Sequence, residues 1–247
     1  MGVRWAEMSD VGLVRSRNQD AVLCRADPTG ARGVLLVVAD GMGGQAAGEV
    51  ASRMAVDTVA DVYFGATDAP AAVLHQALTE ANRRIAAASV ERADARGMGT
   101  TCVALAVIDG SACVLHVGDS RAYHLRGSAL ARLTRDESVW AAQVRAGESP
   151  ANAYGRNQLV QAVGTEIELE LQPPCEVAIE VGDRFLLCSD GLWGVVTDPE
   201  LAAVAADADL DEACRRLVAL ANARGGQDNV TVVLAEVTSD RPEVSRT

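Results

Sequence analysis

The chain contains no lysine: all 22 of its basic residues are arginine, and they stand against 34 acidic residues, for a formal net charge of −12. Without lysine the chain has no Walker-type phosphate loop, no kinase lysine and no Schiff-base or pyridoxal chemistry. The acidic balance also argues against nucleic acid as a partner, because binding nucleic acid requires a dense basic surface.

Aromatic residues and long apolar runs are also scarce. Only 3% of the 247 residues are aromatic, and no window approaches the roughly 18 apolar residues that indicate a membrane span. Six cysteines occur without a CxxC pair, which is typical of small core side chains in a reducing compartment. We therefore expect one globular protein in the cytoplasm that does not contact a membrane.

Hydrophobic periodicity predicts the fold class. A β-branched run at 33–39 predicts a buried strand, and three- and four-residue spacing predicts helices over 46–64 and 73–85. Asp109 and Gly110 separate two strand patterns as a hairpin turn, and two further strands after residue 120 are expected to continue this hairpin as a meander. Later helix patterns at 198–206 and 211–223 form a second pair. We predict an α+β fold, a four-layer αββα sandwich of two antiparallel β-sheets flanked by helix pairs.

Four acids fall at the predicted ends of strands. Asp40 and Asp190 follow apolar strands and precede glycine, Asp119 ends the run VLHVGD, and Asp228 begins the last strand. Strand ends that meet at one edge of antiparallel sheets would bring these acids together, and their repulsion would then require a cation. Oxygen ligands without a zinc signature favour Mg²⁺ or Mn²⁺.

Seven ordered blocks resemble one family. They are RSRNQD (15–20), ADGMGG (39–44), GMGTT (97–101), VGDSRAY (117–123), LTRDES (133–138), CSDGLWG (188–194) and GGQDNVT (225–231). In this order and spacing the chain is similar to the metal-dependent type 2C Ser/Thr protein phosphatases in their compact bacterial form. The resemblance implies a catalytic domain over 1–237, followed by a polar tail at 238–247 that we expect to be disordered.

The resemblance implies a site with two core cations, Mn²⁺ or Mg²⁺. Asp40 is the carboxylate expected to bridge them, the Gly41 carbonyl is a second contact to one, and Asp190 and Asp228 bind the other. A hydroxide between the cations would then attack phosphorus directly, without a covalent phosphoenzyme.

Three further residues complete the implied site. Asp20 is expected to bind the cluster mainly through water, and Asp119 is expected to hold a weaker third cation with Asp190. Arg15 is expected to bind the phosphate through its planar, permanently charged guanidinium. Arg15 and Asp40 are thus the predicted catalytic residues.

The chain departs from the family pattern at several positions. Met42 stands where some relatives have histidine, Gln19 where many have glutamate, and Glu137 where histidine is usual. Residues 147–164, here called the flap segment, correspond to the family's flap beside the active site and look shortened. We expect specificity to differ most in this segment.

The family resemblance also implies partners and leaves alternatives. Phosphorylated Ser/Thr proteins are the expected substrates, a Ser/Thr protein kinase is the expected partner, and a monomer is the usual state. A catalytically inactive pseudophosphatase that binds phosphoproteins is one alternative. A different carboxylate-metal hydrolase, such as a phosphodiesterase, is the other.

Overall fold

The structure is a computed structural model, and it describes residues 1–43, 47–91, 93–207 and 209–239. Within these residues the strands are β1 (Gly2–Asp10), β2 (Asp20–Ala26), β3 (Val34–Met42), β4 (Gly99–Thr100), β5 (Cys102–Ile108), β6 (Ser111–Val117), β7 (Arg121–Arg126), β8 (Ala129–Arg132), β9 (Cys175–Ala178), β10 (Arg184–Cys188) and β11 (Val230–Thr238). The helices are α1 (Ala47–Gly65), α2 (Pro70–Glu91), α3 (Val139–Arg145), α4 (Asp190–Trp193), α5 (Asp198–Ala205) and α6 (Leu210–Ala223), with a short 3₁₀ helix at Ala93–Ala95.

Two antiparallel sheets form the centre of the molecule. The first sheet has the order β1-β11-β10-β7-β8, and the second has the order β2-β3-β5-β6-β9, with β4 beside β3. Helices α1 and α2 cover the outer face of the second sheet, while α4, α5 and α6 cover the outer face of the first. The predicted αββα sandwich is therefore confirmed.

Strand β3 shows how one segment builds two layers of core. Leu35 and Val37 pack against the helices α1 and α2, whereas Leu36 and Val38 pack between the two sheets, and all four are fully buried. Successive side chains of a strand point to opposite faces, so an unbroken apolar run serves a strand that is covered on both sides. This explains why the run stops at Asp40, where the strand reaches the edge of the sandwich.

The predicted hairpin at Asp109 and Gly110 is confirmed. These residues have φ angles of 50° and 77° and join β5 to β6, with Ile108 paired to Ser111. Positive φ at both central positions is the geometry of a type I′ turn, whose twist matches that of the flanking strands.

The predicted meander is wrong at one connection. Strands β6 and β7 do not pair; they belong to different sheets, and the chain crosses from one sheet to the other at residues 118–120. Gly118 permits this crossing because its φ is +93° and an added Cβ would lie 2.7 Å from the Thr101 Cγ2 atom. The crossing carries Asp119 to the edge of the sandwich.

Parts of two predicted segments, the start of the first helix and the C-terminal tail, lie outside the described residues. Helix α1 begins at Ala47 in the structure, and position 46 of the predicted helix and Gly44 of the second block lie outside the described residues. Thr238 ends β11, and most of the predicted polar tail, residues 240–247, also lies outside them. In the part of the chain that is described, none of the helices has the length and apolar character needed to cross a bilayer.

Candidate active site

Asp20 and Asp40 face each other on neighbouring strands. Asp20 begins β2 and pairs directly with Asp40 near the end of β3. Like charges opposite each other on a sheet are destabilising, so this register is costly unless other groups offset it. The Asp40 backbone is fixed from the other side, because its N–H donates to Thr101 Oγ1 at 2.9 Å and its carbonyl accepts from the Thr101 N–H at 2.8 Å.

Ser189 links the two sheets behind these acids. Its hydroxyl donates to Asp20 Oδ2 at 2.8 Å and accepts from the Thr231 N–H of β11 at 3.0 Å. Asp190 follows Ser189 directly, at the end of β10, and is the first residue of α4. The strand order thus places Asp190 of one sheet beside the Asp20 and Asp40 pair of the other.

Asp228 and Asn229 hold the loop that carries Arg15. The Arg15 Nη2 atom donates to Asp228 Oδ2 at 2.8 Å. The Asn229 side chain donates to the carbonyls of Val11 and Arg17, both at 2.9 Å, and accepts from the Gln19 N–H at 2.8 Å. A single buried amide therefore fixes both ends of the loop between β1 and β2.

These groups surround one cleft of about 190 Å³. Asp119 reaches it from the crossing between the sheets, and two residues of the flap segment, Asn157 and Leu159, also line it. The lining residues are Arg15, Gln19, Asp40, Gly41, Met42, Gly43, Thr101, Asp119, Asn157, Leu159, Asp190, Asp228 and Asn229.

Crowding and burial shift the acids toward their protonated form. Burial, followed by repulsion from Asp190, raises the pKa of Asp119 from 3.8 to about 7. Burial, opposed by hydrogen bonds from Thr231 and Ser189, raises the pKa of Asp20 to about 6. The pKa values of Asp40 and Asp190 are also raised, first by burial and then by the charges of neighbouring aspartates. Burial is the main cause of every shift, and repulsion among the aspartates adds to it because the acids of the cleft outnumber its basic groups.

The residues of the cleft fit divalent cations. Among the described residues, the buried Oδ1 atoms of Asp20 and Asp190 have no hydrogen-bond donor, although buried carboxylate oxygens are normally paired. All the acidic donors offer oxygen, which suits Mg²⁺ or Mn²⁺. In the described ranges no group of three or more His, Cys, Asp or Glu side chains is arranged to hold a metal ion, so a cation here would also need ligands such as the Gly41 carbonyl and water. Among the residues that line the cleft, Arg15 supplies the positive charge; it contacts Asp228 and partly opposes the rise in the pKa of Asp190.

Glycine is required where Gly41 passes α1. A Cβ atom at Gly41 would lie 2.1 Å from the Gly48 carbonyl oxygen and 2.6 Å from that of Gln19, and both are backbone atoms. This close packing brings the Gly41 peptide to the rim of the cleft, where it lines the site together with Asp40. The Gly after Asp40 is thus explained by packing as well as by its place in the cleft.

The structure brings the seven predicted site residues together. Six of them, Arg15, Asp40, Gly41, Asp119, Asp190 and Asp228, line the cleft, and Asp20 lies buried directly behind Asp40. Sequence reasoning assigned no role to Ser189, Asn229 or Thr101, although each belongs to one of the quoted blocks. Ser189 and Asn229 each stand beside an acid of their block, which was the available signal, whereas Thr101 had no such neighbour; the contacts of all three depend on the tertiary fold.

A sequence model described as Protein phosphatase 2C matches residues 14–235. The chain belongs to the protein phosphatase 2C family. Two relatives show how far the likeness extends. The serine/threonine protein phosphatase PstP of Mycobacterium tuberculosis (strain CDC 1551 / Oshkosh) is 38% identical over 242 residues, which cover 95% of this chain and 45% of PstP. The serine/threonine phosphatase stp of Listeria monocytogenes (serotype 4b, strain F2365) is 35% identical over 240 residues, which cover 92% of this chain and 93% of that relative.

A solved structure of a family member agrees with the fold. It is the crystal structure of the catalytic domain of the phosphatase PstP in complex with two manganese ions. It aligns with a TM-score of 0.83 and 36% identity, over 96% of this chain and 99% of that one. The chain spans less than half the length of the M. tuberculosis PstP sequence, so the alignment covers only part of that protein.

Proposed function

We propose that this protein phosphatase 2C family member removes phosphate from phosphoserine and phosphothreonine in proteins, using Mn²⁺ or Mg²⁺. One observation carries the proposal: aspartates from distant segments and from both sheets meet at one cleft beside a guanidinium. Such a cleft suits a phosphate monoester as substrate, because cations held by the aspartates and the hydrogen-bond donors of the guanidinium would together neutralise the charge of the phosphate. The names of the two relatives support the Ser/Thr specificity.

Carboxylates would hold the cations. Asp40, Asp190 and Asp228, with the Gly41 carbonyl, are the proposed ligands of two core ions, while Asp20 supports them from behind Asp40. Asp119 and Asp190 would bind a weaker third ion, as their mutual repulsion in the structure suggests. When bound, such cations neutralise phosphate charge and make water a nucleophile near neutral pH.

Arg15 would bind and orient the phosphate. Its guanidinium is about half exposed in the cleft and already contacts Asp228 Oδ2 at 2.8 Å, so it can reach an anion held above the acids. Arginine suits this task because it stays charged and presents paired donors that match phosphate oxygens. The contact with Asp228 orients the guanidinium over the cleft, which favours binding of an anion there.

Activity in the presence and absence of metal tests the proposal. We expect turnover of p-nitrophenyl phosphate and of a phosphothreonine peptide with Mn²⁺, and loss of both in EDTA that is restored by added Mn²⁺. Activity that survives EDTA would refute the metal-dependent reaction. Inactivity with every divalent cation, together with retained binding of phosphopeptides, would instead favour a pseudophosphatase, and cleavage of phosphodiesters but not monoesters would favour a different hydrolase.

Arg15→Ala is expected to raise the KM for the phosphopeptide by about tenfold, with a smaller change in kcat, because a charged hydrogen-bond pair to phosphate is lost. Steady-state kinetics at saturating Mn²⁺ measure both constants. Arg53→Ala, which removes an exposed arginine on α1, is the matched control and should leave them unchanged. A fall in kcat at constant KM would mean that Arg15 acts only in the transition state.

Several wider features belong to the same proposal. Residues 1–237 would constitute the catalytic domain, and residues 238–247 a polar tail. The family resemblance supports phosphorylated Ser/Thr proteins as substrates, a Ser/Thr protein kinase as partner and a monomeric protein. The unpaired cysteines support a cytoplasmic location, and the acidic composition argues against nucleic acid as a partner. The family resemblance supports a role in signalling without a membrane partner.

A further inference from the structure

Glu137 is a buried acid that the proposed reaction does not use. Only 6% of it is exposed, yet it has no arginine, histidine or lysine among its hydrogen-bond partners in the described residues. Its Oε2 atom accepts two hydrogen bonds, one from the Gly118 N–H at 2.9 Å and one from the Gln161 Nε2 atom at 3.1 Å. Burying a carboxylate that has only neutral hydrogen-bond donors costs desolvation free energy, so a structural or functional role is expected to offset this cost.

The backbone of Glu137 joins the same two segments. Its N–H donates to the Gly118 carbonyl at 3.1 Å, and its carbonyl accepts from the Val160 N–H at 2.6 Å. The preceding residue, Asp136, is fixed by a two-armed ion pair with Arg121, at 2.9 and 2.7 Å. Glu137 therefore stands on a rigid support and holds the crossing at residue 118 on one side and the flap segment on the other.

Both of these segments border the cleft. Gly118 directly precedes Asp119, and the flap segment contributes Asn157 and Leu159 to the lining. Farther along the flap segment, Val163 exchanges two backbone hydrogen bonds with Thr100, at 2.9 and 3.0 Å. The Thr100 hydroxyl in turn donates to the Asp40 carbonyl at 2.9 Å. The flap segment is thus bonded to the Asp40 strand at Val163 and to the Asp119 crossing through Glu137.

We propose that Glu137 is a positioning residue that sets the flap segment and Asp119 at a fixed distance from each other over the cleft. This inference rests on the proposed phosphatase function. Glu137 does not touch the substrate: its Oε2 atom acts through Gly118 on Asp119 and through Gln161 on the flap segment.

Three variants separate the two connections. Glu137→Met removes the acceptor for both Gly118 and Gln161. Gln161→Met leaves the Gly118 contact intact and removes the hydrogen bond from Gln161 to Glu137, together with two hydrogen bonds between the Gln161 amide and the Glu170 backbone. Glu137→Gln is the conservative variant, because its amide oxygen can accept both hydrogen bonds at the position of Oε2. If the acceptor atom is what matters, Glu137→Gln retains the wild-type behaviour that Glu137→Met loses.

The expected kinetic result differs by substrate. Gln161→Met should raise the KM for a phosphothreonine peptide by about tenfold, the scale of one lost hydrogen bond, while the KM for p-nitrophenyl phosphate stays near wild type. That small substrate reaches the cleft without extended contact with the flap segment. Glu137→Met should also raise the peptide KM, and Gln161→Met should have a smaller effect in the Glu137→Met background than in the wild type, because there only the hydrogen bonds between Gln161 and Glu170 are left to lose.

Two measurements do not depend on activity. In Glu137→Met, but not in Gln161→Met, the Gly118 amide should exchange hydrogen faster and Mn²⁺ titrated calorimetrically should bind more weakly. Glu137→Gln should match wild type in both. If Glu137→Met fails to fold, the Gln161→Met kinetics alone still test the connection to the flap segment.

Equal peptide KM values for wild type and Gln161→Met would overturn the inference. So would a Glu137→Gln variant as impaired as Glu137→Met, because the acceptor would then not be the cause. An inactive wild type would refute the proposed phosphatase function, whereas the Gly118 exchange and the Mn²⁺ titration would still decide the role of Glu137.

Discussion

Asp40→Asn should lower kcat/KM for a phosphothreonine peptide by at least about 10³-fold, because Asp40 is a proposed ligand of the core cations, which would supply several kcal/mol of transition-state stabilisation. The same change should leave the protein folded. In the absence of metal the Asp40 carboxylate is repelled by Asp20, Asp190, Asp119 and Asp228, and its neutralisation relieves that repulsion. We therefore expect a Tm in EDTA equal to or above that of wild type.

Kinetics and thermal unfolding of the same preparation check both parts of this expectation. Asp61→Asn is the matched control, since it makes the same chemical change at an exposed position on α1 and should alter neither activity nor Tm. Retained activity in Asp40→Asn would contradict the proposal that the Asp40 carboxylate is an essential ligand of the core cations. A large drop in the Tm of the metal-free variant would show that Asp40 stabilises the fold, in contradiction to the repulsion inferred from the structure.

The metal-free protein should become less stable as the pH rises from about 4 to 7, with a fall in Tm on the order of 10 °C. The pKa of Asp20 is raised to about 6 and that of Asp119 to about 7, while Asp40 and Asp190 shift in the same direction. Across this window the folded state binds more protons than the unfolded state, so the free energy of unfolding decreases with pH. Most proteins with paired carboxylates show the opposite trend at acidic pH.

Thermal unfolding at several pH values, in EDTA and in excess Mn²⁺, measures this effect. Cations bound to the carboxylates should raise the Tm most at the upper end of the window and flatten its pH dependence. Asp40→Asn should flatten it partly in EDTA, whereas Asp61→Asn should not. A Tm in EDTA that rises between pH 5 and 7 would show that the acids of the cleft do not dominate the titration.

Local patterns predicted much of the fold. The strand that ends at Asp40 and the turn at Asp109 and Gly110 depend on side-chain alternation and on residues that accept positive φ, which are properties of a few neighbouring positions. The predicted meander was wrong at the connection between β6 and β7. The prediction assumed that consecutive strands pair, as they usually do, whereas Gly118 lets the chain cross to the other sheet. Such a crossing depends on what packs around the glycine, here Thr101, and no local pattern carries that information.

The candidate site shows the same division. The sequence indicated which acids stand at strand ends. It did not indicate that Asp20 lies opposite Asp40, because this contact requires the pairing of β2 with β3, and the apolar patterns did not indicate β2. Asp20, Gly41 and Arg15 entered only through the family resemblance. The contacts of Ser189 and Asn229 join segments about 170 and 210 residues apart, and such contacts follow from the complete topology alone.

The cleft draws its acids from both halves of the sandwich. Asp20 and Asp40 belong to one sheet, Asp190 and Asp228 adjoin strands of the other, and Asp119 lies on the link between them. Neither sheet alone carries all of these acids, so the affinity for the proposed ions should depend on the position of one sheet relative to the other. A substitution in the core between the sheets, far from the cleft, that shifts one sheet relative to the other should therefore weaken ion binding even where the protein remains folded.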